Sequence, residues 1–278
     1  MEHFWGKSMH LDQKIIEQVH ETGQQILDEF SRICEANRLK YYLIAGSLLG
    51  AVRHQGPIPW DDDIDVAMPR NDFEHFKELM LARPESEPFH IHCFENDPCF
   101  RLFVLRLNKS GTLYSLHHEK NVDLKYKELW IDIFPLDDAP VHNKMGYQLL
   151  GKRIAVMKRM VNNRVRNSYE QLHFKGKILH FLLSFFSYEG MRIHTEKLMK
   201  SWNGKAEENY VSWASHYDFK KQTMPQGWYE PAQKVYYSGK LYRAPKEWDK
   251  VLRQLYGDYM KLPPEEQRRG HVPFQVKL

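Results

Sequence analysis

Cysteine is scarce in this chain of 278 residues, which has three, at Cys34, Cys93 and Cys99. Three thiols cannot all pair with one another, and none of them belongs to a C-x-x-C pair. The simplest interpretation is three buried free thiols in a protein kept in a reducing, cytoplasmic environment.

Long hydrophobic runs are also absent. The longest, Phe181 to Phe186, is far too short to span a bilayer. The first ten residues, MEHFWGKSMH, lack the apolar stretch of a signal peptide. We therefore expect a protein that is neither exported nor transmembrane. A formal net charge of +4 is small for this length and by itself implies no partner.

Patterns of helix and strand alternate in the first half of the chain. Residues 11–38 place apolar side chains at helical spacing, and the segments YYLIAG, DIDVAM, FRLFVLRL and LWIDIF have the composition of short strands. Ser47 is a good N-cap for the helix SLLGAVRH, and Asn71 for the helix NDFEHFKELMLA. With 42% apolar residues in the chain, we expect an α/β core.

The character of the chain changes after Pro140. Residues 141–227 are basic and apolar with helical patterns, whereas residues 228–278 are aromatic and rich in turns. We therefore divide the chain into a core at 1–140, a helical region at 141–227 and a C-terminal segment at 228–278 that returns to the core.

The stretch PWDDDIDV places four aspartates within five residues, at Asp61, Asp62, Asp63 and Asp65. On a strand, Asp63 and Asp65 would share one face while Ile64 entered the core. Two adjacent carboxylates need a cation, and hard oxygen ligands suit Mg²⁺ or Mn²⁺. The alternative is an exposed acidic loop.

Two further features favour the metal site. Asp132 lies within the apolar segment LWIDIFPL, where an unpaired buried acid would cost several kcal/mol. Gly46 and Ser47 precede the acidic run at the start of a helix. A glycine admits a phosphate close to the backbone, and a helix start presents free N–H groups to it.

At this point the sequence resembles a known family. The segment AGSLLGAVRHQGPIPWDDDIDVAMPRNDF is similar to the signature of the LicD family, and LWIDIFPLDDAP and LYGDYMKLPP resemble its later blocks. The likeness covers about Tyr41–Pro140 and Tyr236–His271. It implies a nucleotidyltransferase-like mixed sheet with flanking helices and a helical insertion. LicD-type proteins move phosphocholine, or a related phospho-alcohol, from a CDP-activated donor to a glycan, and the similar fukutin-related proteins use CDP-ribitol.

The resemblance also implies roles for particular residues. Asp63, Asp65 and Asp132 would be catalytic metal ligands, Asp132 bridging the metal or acting as general base. Gly46 and Ser47 would hold the donor phosphates. Asp61 and Asp62 belong to the motif as well; one of them could ligate a second metal or orient Arg53, and a structural role is about equally good.

Several other side chains are candidates for the donor site. Arg53 follows the Gly-Ser helix closely enough to contact a phosphate. For His54, contact with a phosphate and a purely surface position are equally good interpretations. Arg101 and Arg106 cannot both face the site on a regular strand, and solvated charge is the better interpretation of each. In the tail, Asp258, Arg268 or His271 could close over the donor, with capping or salt bridging as an equal alternative.

Choline is a quaternary ammonium ion, which aromatic faces hold well. Each aromatic residue is individually more often part of a core, although two or three together could form a cage. The candidates are Trp60, Trp130, Tyr236, Tyr237, Tyr242, Tyr256 and Tyr259.

The basic residues that follow Pro140 would suit an anionic membrane surface together with the apolar segment ILHFLLSFF, although a solvated helix face is the simpler interpretation. They are Lys152, Arg153, Lys158, Arg159, Arg164 and Arg166. We therefore expect a cytoplasmic protein, with peripheral contact at the inner membrane face as an option. No module that reads RNA or DNA is apparent.

The sequence thus predicts phosphocholine transfer from CDP-choline to a hydroxyl of a cell-surface glycan precursor. The rivals are transfer from CDP-ribitol or CDP-glycerol, a true nucleotidyltransferase that releases pyrophosphate, and a non-catalytic binding protein. Carboxylate sites accept both Mg²⁺ and Mn²⁺, so both metals remain candidates.

Overall fold

The computed structural model describes residues 13–120, 122–140, 145–166, 187–206, 208–268, 270–271 and 273–278, without the side chains of residues 118 and 163–166. Among the helices in these ranges, none has both the length and the apolar character needed to cross a membrane.

Helices and strands alternate along the chain. In order they are α1 (Gln13–Ala36), β1 (Tyr42–Leu43), α2 (Ala45–His54), β2 (Asp65–Pro69), α3 (Arg70–Leu81), β3 (Phe89–His92), β4 (Leu105–Lys109), β5 (Leu113–Leu116), β6 (Trp130–Ala139), α4 (Met145–Arg166), α5 (Tyr188–Met199), β7 (Asn209–Val211), α6 (Phe219–Gln222), β8 (Thr223–Pro225), β9 (Gln233–Tyr237), β10 (Lys240–Ala244), α7 (Trp248–Tyr256) and β11 (Pro273–Lys277).

A seven-stranded mixed sheet organises the fold. Five strands follow the order β1-β2-β6-β4-β3, while β7 pairs with the far end of β6 and β8 pairs with β7. The β2–β6 pairing is parallel, and the other pairings in this sheet are antiparallel. The predicted α/β class is therefore confirmed.

Two apolar clusters stabilise the chain. The larger one joins the sheet to the buried face of α1, where Ile26, Leu27 and Phe30 are fully buried at helical spacing. The smaller one lies between α4, α5 and β7 and includes Tyr147 and Trp213. The helical spacing at 11–38 thus predicted α1 correctly, because a face of this kind is stable only against a core.

Three local predictions were wrong. α3 begins at Arg70, so Asn71 lies within its first turn and is not its cap. The strand predicted from residue 100 begins at Leu105. The region 141–227 is not wholly helical, because it also supplies β7 and β8 to the sheet, and its predicted apolar segment ILHFLLSFF lies outside the described residues.

Candidate active site

Two carboxylates lie side by side at the centre of the seven-stranded sheet. Asp65, the first residue of β2, is the register partner of Asp132 on the parallel strand β6. The Asp132 amide donates to the Ile64 carbonyl at 2.9 Å. Since register partners on neighbouring strands share a face, both carboxylates project from the same side of the sheet.

Asp63 precedes β2 and does not lie on it. The strand begins at Asp65, so the strand alternation predicted for Asp63 and Asp65 is wrong at Asp63. Between them, Ile64 is buried in the core, and His20 of α1 contacts the Asp61 carbonyl at 2.7 Å through Nε2. The acidic run is therefore a loop that α1 supports, followed by a strand.

The start of α2 packs against this loop. The helix begins at Ala45, and its N-terminal Ile44 has no side-chain cap, so the prediction of Ser47 as N-cap is wrong. Ser47 is buried, and its hydroxyl accepts a hydrogen bond from the Asp65 amide at 2.7 Å. This bond joins α2 to β2; a contact of Ser47 with donor phosphate stays a prediction.

Gly46 lies directly against Asp61. A Cβ at position 46 would stand 2.6 Å from Asp61 Oδ2, so only glycine allows this close approach. The preceding Ala45 has a φ of +46°, a left-handed conformation that costs a residue with a Cβ about 1 kcal/mol or more. The N-terminus of α2, with its free N–H groups and positive dipole end, therefore meets a carboxylate.

Burial and mutual repulsion raise the proton affinity of these carboxylates. Burial, and then a neighbouring aspartate, raises the pKa of Asp61 to about 6. Burial and the adjacent carboxylates raise the pKa values of Asp63 and Asp65 well above their ordinary range. Burial also raises the pKa of Asp132, although Arg106 opposes it. An added cation would stabilise the ionised cluster.

Arg106 is not a solvated charge, and that prediction was wrong. It is 5% exposed and donates from Nε to Asp132 at 3.3 Å and from a terminal nitrogen to Glu119 at 2.9 Å. Its guanidinium carbon lies 3.8 Å from the centre of the Trp130 ring. The Trp130 indole in turn donates to Asp132 at 3.2 Å. Arg101 precedes β4 and lies outside the strand.

Asp62 anchors the end of the chain. Its buried carboxylate accepts hydrogen bonds from the Tyr114 hydroxyl and, at 2.6 Å, from the His271 amide. The His271 ring lies 3.2 Å from Asp62 and 3.9 Å from Asp63. Its hydrogen bond to Asp62 raises the pKa of His271 to about 9. His271 therefore adds positive charge beside the cluster, and Asp62 has a structural partner on each side.

Asp63, Asp65 and Asp132 have the oxygen ligands that a divalent cation prefers, and two of the three are arranged to share one. Within the described part of the chain, no three Asp, Glu, His or Cys side chains converge closely enough to hold a metal ion. Asp65 and Asp132 form an adjacent pair, and Mg²⁺ is commonly bound by one or two carboxylates together with substrate phosphates. Asp63 precedes Asp65 by two residues in the chain.

A basic and aromatic cleft, which we call the arginine cleft, lies between α2 and the C-terminal segment. Its lining includes Arg53, Trp60 and Tyr256, and it encloses about 830 Å³ of space, part of it open to solvent. Arg53 donates to the Tyr259 carbonyl at 2.9 Å, and no described carboxylate lies within 4 Å of its guanidinium. Arg268 stacks over the Trp60 ring at 5.3 Å.

His54 is a neighbour of both Arg53 and Trp60. Its ring lies edge-on to Trp60 at 6.0 Å, and its Nδ1 is 3.5 Å from the Arg53 Nε. Burial, and then the charge of Arg53, lowers the pKa of His54. His54 is therefore a neutral packing partner of the cleft, and a role in donor binding stays a prediction.

A second cavity, the aromatic pocket, opens beside Asp65 between α2, β6 and the loop 212–217. It is lined by Phe134, Tyr217 and Tyr229 among others and encloses about 490 Å³ of space, part of it open. Phe134 lies two residues after Asp132 on β6, so it shares the face of Asp65 and Asp132, which we call the acidic pair. The sequence patterns did not indicate this pocket.

Lys158 holds the loop 212–217 in place. Its ammonium group, on α4, donates to the carbonyl oxygens of Trp213, Ala214 and Ser215 at 2.6, 3.0 and 2.7 Å. Burial lowers the pKa of Lys158 to about 8. The sequence predicted Lys158 as part of a solvated or membrane-facing charge cluster, and that prediction was wrong. Lys158 is a positioning residue for one wall of the aromatic pocket.

The predicted aromatic cage is dispersed in the fold. Trp130 stacks under Arg106, Tyr237 and Tyr242 are buried in the core, and Tyr236 is 49% exposed on β9. Trp60, Tyr256 and Tyr259 remain together, along the arginine cleft, where Asp258 also lies.

Comparison with known proteins identifies a family domain in the chain. Residues 38–173, just under half of the chain, match the family described as LicD/FKTN/FKRP, nucleotidyltransferase domain. The chain carries a LicD-family domain. The resemblance inferred from the acidic motif is thereby confirmed, and the matched range extends beyond the predicted block that ended at Pro140.

Individual relatives are similar to this chain over different lengths. The lipopolysaccharide cholinephosphotransferase LicD of Haemophilus influenzae is 28% identical over 255 residues, which are 88% of this chain and 91% of that protein. An uncharacterized protein of Rickettsia prowazekii is 39% identical over 126 residues, 45% of this chain and 42% of that protein. The ribitol 5-phosphate transferase FKRP of Homo sapiens is 41% identical over 54 residues, 19% of this chain and 11% of that protein.

The LicD-family domain ends before several residues that surround the site. The acidic pair, α2 and Arg106 lie within residues 38–173. The loop 212–217, Tyr256 and His271 lie beyond it. The site is therefore assembled from the family domain and from segments that follow it in the chain.

The two aspartates at the end of the block LWIDIFPLDDAP have a structural task in the LicD-family domain. Asp137 is fully buried and pairs with both guanidinium arms of Arg70 at 2.8 and 2.7 Å. Asp138 accepts a hydrogen bond from Gln226 at 2.9 Å. These contacts fasten the end of β6 to α3 and to the chain around β8, and they lie apart from the acidic pair.

Proposed function

We propose that this LicD-family protein is a metal-dependent phosphotransferase that moves phosphocholine from CDP-choline to a hydroxyl of a cell-surface glycan precursor, of the teichoic-acid type, and releases CMP. The observation that carries the proposal is the register pair Asp65–Asp132, with the N-terminus of α2 beside it. Support for choline and for a glycan acceptor comes from the Haemophilus influenzae relative, whose name is lipopolysaccharide cholinephosphotransferase.

Asp65 and Asp132 would hold the metal. Asp63, which the sequence predicts as the third ligand, does not converge with them in the described structure and would have to turn toward the cation. A bound Mg²⁺ or Mn²⁺ would supply charge neutralisation at the pyrophosphate oxygens of the donor. Arg53 would bind the donor phosphates. Its guanidinium lacks a carboxylate partner among the described residues, and a guanidinium donates paired hydrogen bonds to phosphate oxygens. The backbone N–H groups at Gly46 and Ser47 would contribute hydrogen bonds from the helix start.

The transfer itself is a displacement at phosphorus. The oxygen of the acceptor hydroxyl forms a bond to the phosphorus that carries choline, while the bond from that phosphorus to the oxygen of CMP breaks. The hydroxyl proton passes to a carboxylate. Both oxygens of Asp132 already accept hydrogen bonds, from Arg106 and Trp130, so Asp61, which is not one of the proposed metal ligands, is the better proton acceptor.

A second donor class has an observation in its favour. The relative named ribitol 5-phosphate transferase matches this chain over 54 residues, so transfer of ribitol phosphate, or of glycerol phosphate, from a CDP-alditol would use the same acidic motif. A true nucleotidyltransferase would instead release pyrophosphate. Identification of CMP as the product separates the two reaction types.

We further propose that the protein works in the cytoplasm, with peripheral contact at the inner face of the membrane. Met145, Leu149 and Val156 are exposed along α4, and the exposed Lys152 and Arg153 lie among them. A surface of this composition suits anionic lipids, on which a lipid-linked acceptor would be presented. Arg159 is also exposed, while the side chains of Arg164 and Arg166 lie outside the described residues.

Calorimetric titration tests the proposed function. CDP-choline, CDP-ribitol and CDP-glycerol are titrated, each with Mg²⁺ or Mn²⁺, into the wild-type protein, Asp65→Asn and the control Asp123→Asn. Asp123 is exposed and lies outside both cavities. We expect metal-dependent binding of CDP-choline that Asp65→Asn abolishes and Asp123→Asn retains. Absence of binding by every CDP donor in the presence of metal would refute the proposal.

A further inference from the structure

The aromatic pocket differs in charge from the arginine cleft. None of the described residues that line it is lysine or arginine, and its one charged lining side chain is Asp65. His216 lines it as well, and burial, followed by the charges of Lys158 and His271, lowers the pKa of that imidazole, which leaves it neutral. No lysine or arginine therefore lines the pocket, whereas the arginine cleft presents Arg53 and Lys261 beside Asp258.

Aromatic rings dominate one part of the pocket. Phe134 and Tyr217 are half-buried and Tyr229 is almost fully buried, and the Tyr217 and Tyr256 rings meet edge to face at 6.4 Å. The Tyr217 ring already attracts one cation, since the Lys221 ammonium lies 5.4 Å from its centre. Aromatic faces in a partly desolvated cavity are the usual surroundings of a quaternary ammonium group.

Ser212 gives a second, independent indication that the pocket takes a ligand. Its side chain is 3% exposed and lines the pocket, and its hydroxyl has no hydrogen-bond partner. Buried hydroxyl groups are paired in most folded proteins, because an unpaired one loses its hydration without compensation. A phosphate oxygen next to the acidic pair would supply the missing partner.

We infer that the aromatic pocket receives the trimethylammonium end of the donor and that Tyr217 determines the specificity for choline. The inference rests on the proposed function and adds the location of the alcohol half of CDP-choline. With the phosphates at Asp65 and Asp132, the cytidine half extends into the arginine cleft and the choline half into the aromatic pocket. Ser212 donates to the phosphate oxygen nearest the choline.

A ring deletion at one loop residue tests the inference. Tyr217 is half-exposed on the loop 212–217, so its replacement leaves the core intact. Calorimetry with Mg²⁺ compares CDP-choline, CDP-ribitol and CMP on the wild-type protein, Tyr217→Leu and Tyr217→Phe. We expect Tyr217→Leu to weaken CDP-choline binding about 3- to 30-fold, the range of one cation–π contact, with no matching loss of CMP affinity. Tyr217→Phe keeps the ring and should keep the preference for CDP-choline over CDP-ribitol.

Two comparisons make the result specific. Tyr236→Leu removes an exposed tyrosine of β9 that lines neither cavity in the described part of the chain, and CDP-choline affinity should be unchanged. Tetramethylammonium ion should compete with CDP-choline and not with CMP.

Three outcomes would overturn the inference. One is an equal loss of CMP and CDP-choline affinity in Tyr217→Leu, and another is a wild-type protein that prefers CDP-ribitol. The third is CDP-choline binding that the loss of the ring does not change, which leaves the proposed function standing. If the wild-type protein binds no CDP donor at all, the proposed function itself fails, and this inference fails with it.

Discussion

The Arg106 guanidinium lies 3.3 Å from the half-buried Asp132 carboxylate and 2.9 Å from the buried Glu119 carboxylate. It also stacks on Trp130, whose indole donates to the other oxygen of Asp132. Asp132 therefore has a fixed orientation before any ligand binds. Arg106 is a positioning residue that keeps one member of the acidic pair beside the other.

Removal of Arg106 should destabilise the fold strongly. Arg106→Met leaves Glu119 as a buried carboxylate that has lost a cationic partner, and breaking a buried ion pair in this way typically costs about 3–5 kcal/mol. Urea unfolding measures the loss. Arg253→Met, which removes an exposed pair with Asp249, is the control and should cost less than about 1 kcal/mol. Equal effects of the two substitutions would contradict the buried role of Arg106.

A side chain at position 46 should disturb the acidic loop. The Cβ of Gly46→Ala would stand 2.6 Å from Asp61 Oδ2, so Asp61 must move, at a cost of about 1–3 kcal/mol. Metal-dependent binding of CDP-choline should weaken together with stability. Gly146→Ala is the matched control, because a Cβ there meets nothing within 4 Å and alanine favours a helix. A tolerated alanine at position 46 would show that Asp61 is free to turn away.

Loss of the Tyr114 hydroxyl should loosen the end of the chain. Tyr114→Phe removes one donor from the buried Asp62 carboxylate, and an unsatisfied buried group costs about 1–3 kcal/mol. Because Asp62 also binds the His271 amide, we expect faster proteolysis of the C-terminal segment as well as a lower free energy of unfolding. Tyr236→Phe serves as the control. A stability loss without added proteolysis would argue against the anchor.

Glu74 should make stability dependent on pH. Burial raises its pKa, but hydrogen bonds from Lys200 and Lys77 outweigh that effect, and the pKa falls to about 2 from an ordinary value of 4.5. Between these values the unfolded chain binds more protons than the folded one. The stabilisation is therefore complete above about pH 4.5 and is lost as the pH falls toward 2, by at most about 3 kcal/mol before solvent screening reduces it.

Urea unfolding of wild type and Glu74→Gln at pH 7 and pH 3 checks the sign. The difference between the two proteins should be larger at pH 7. Glu265→Gln, at a side chain that is 89% exposed, should show no such change with pH. A difference that grows on acidification would mean that the two lysines do not hold Glu74 ionised.

Local sequence was sufficient for the central feature of the site. Asp65 and Asp132 each interrupt an apolar strand segment, and a buried acid in that setting needs a cation or a hydrogen-bond partner whatever the fold. The same argument did not extend to Asp63, because the position where a strand begins depends on which backbone groups find partners in the sheet. Ser47 likewise is a residue type that often caps helices, yet its hydroxyl accepts a hydrogen bond from the Asp65 amide.

The sequence by itself determined the α/β class, the LicD-family domain and the two strands that carry the acidic pair, because each depends on residues close together in the chain. The tertiary structure alone decided the partners of Arg106, Lys158 and Asp62, and with them the walls of both cavities. Their contacts join segments 13 to 209 residues apart, and the register that brings such segments together is set by the packing of the whole core and by no local pattern.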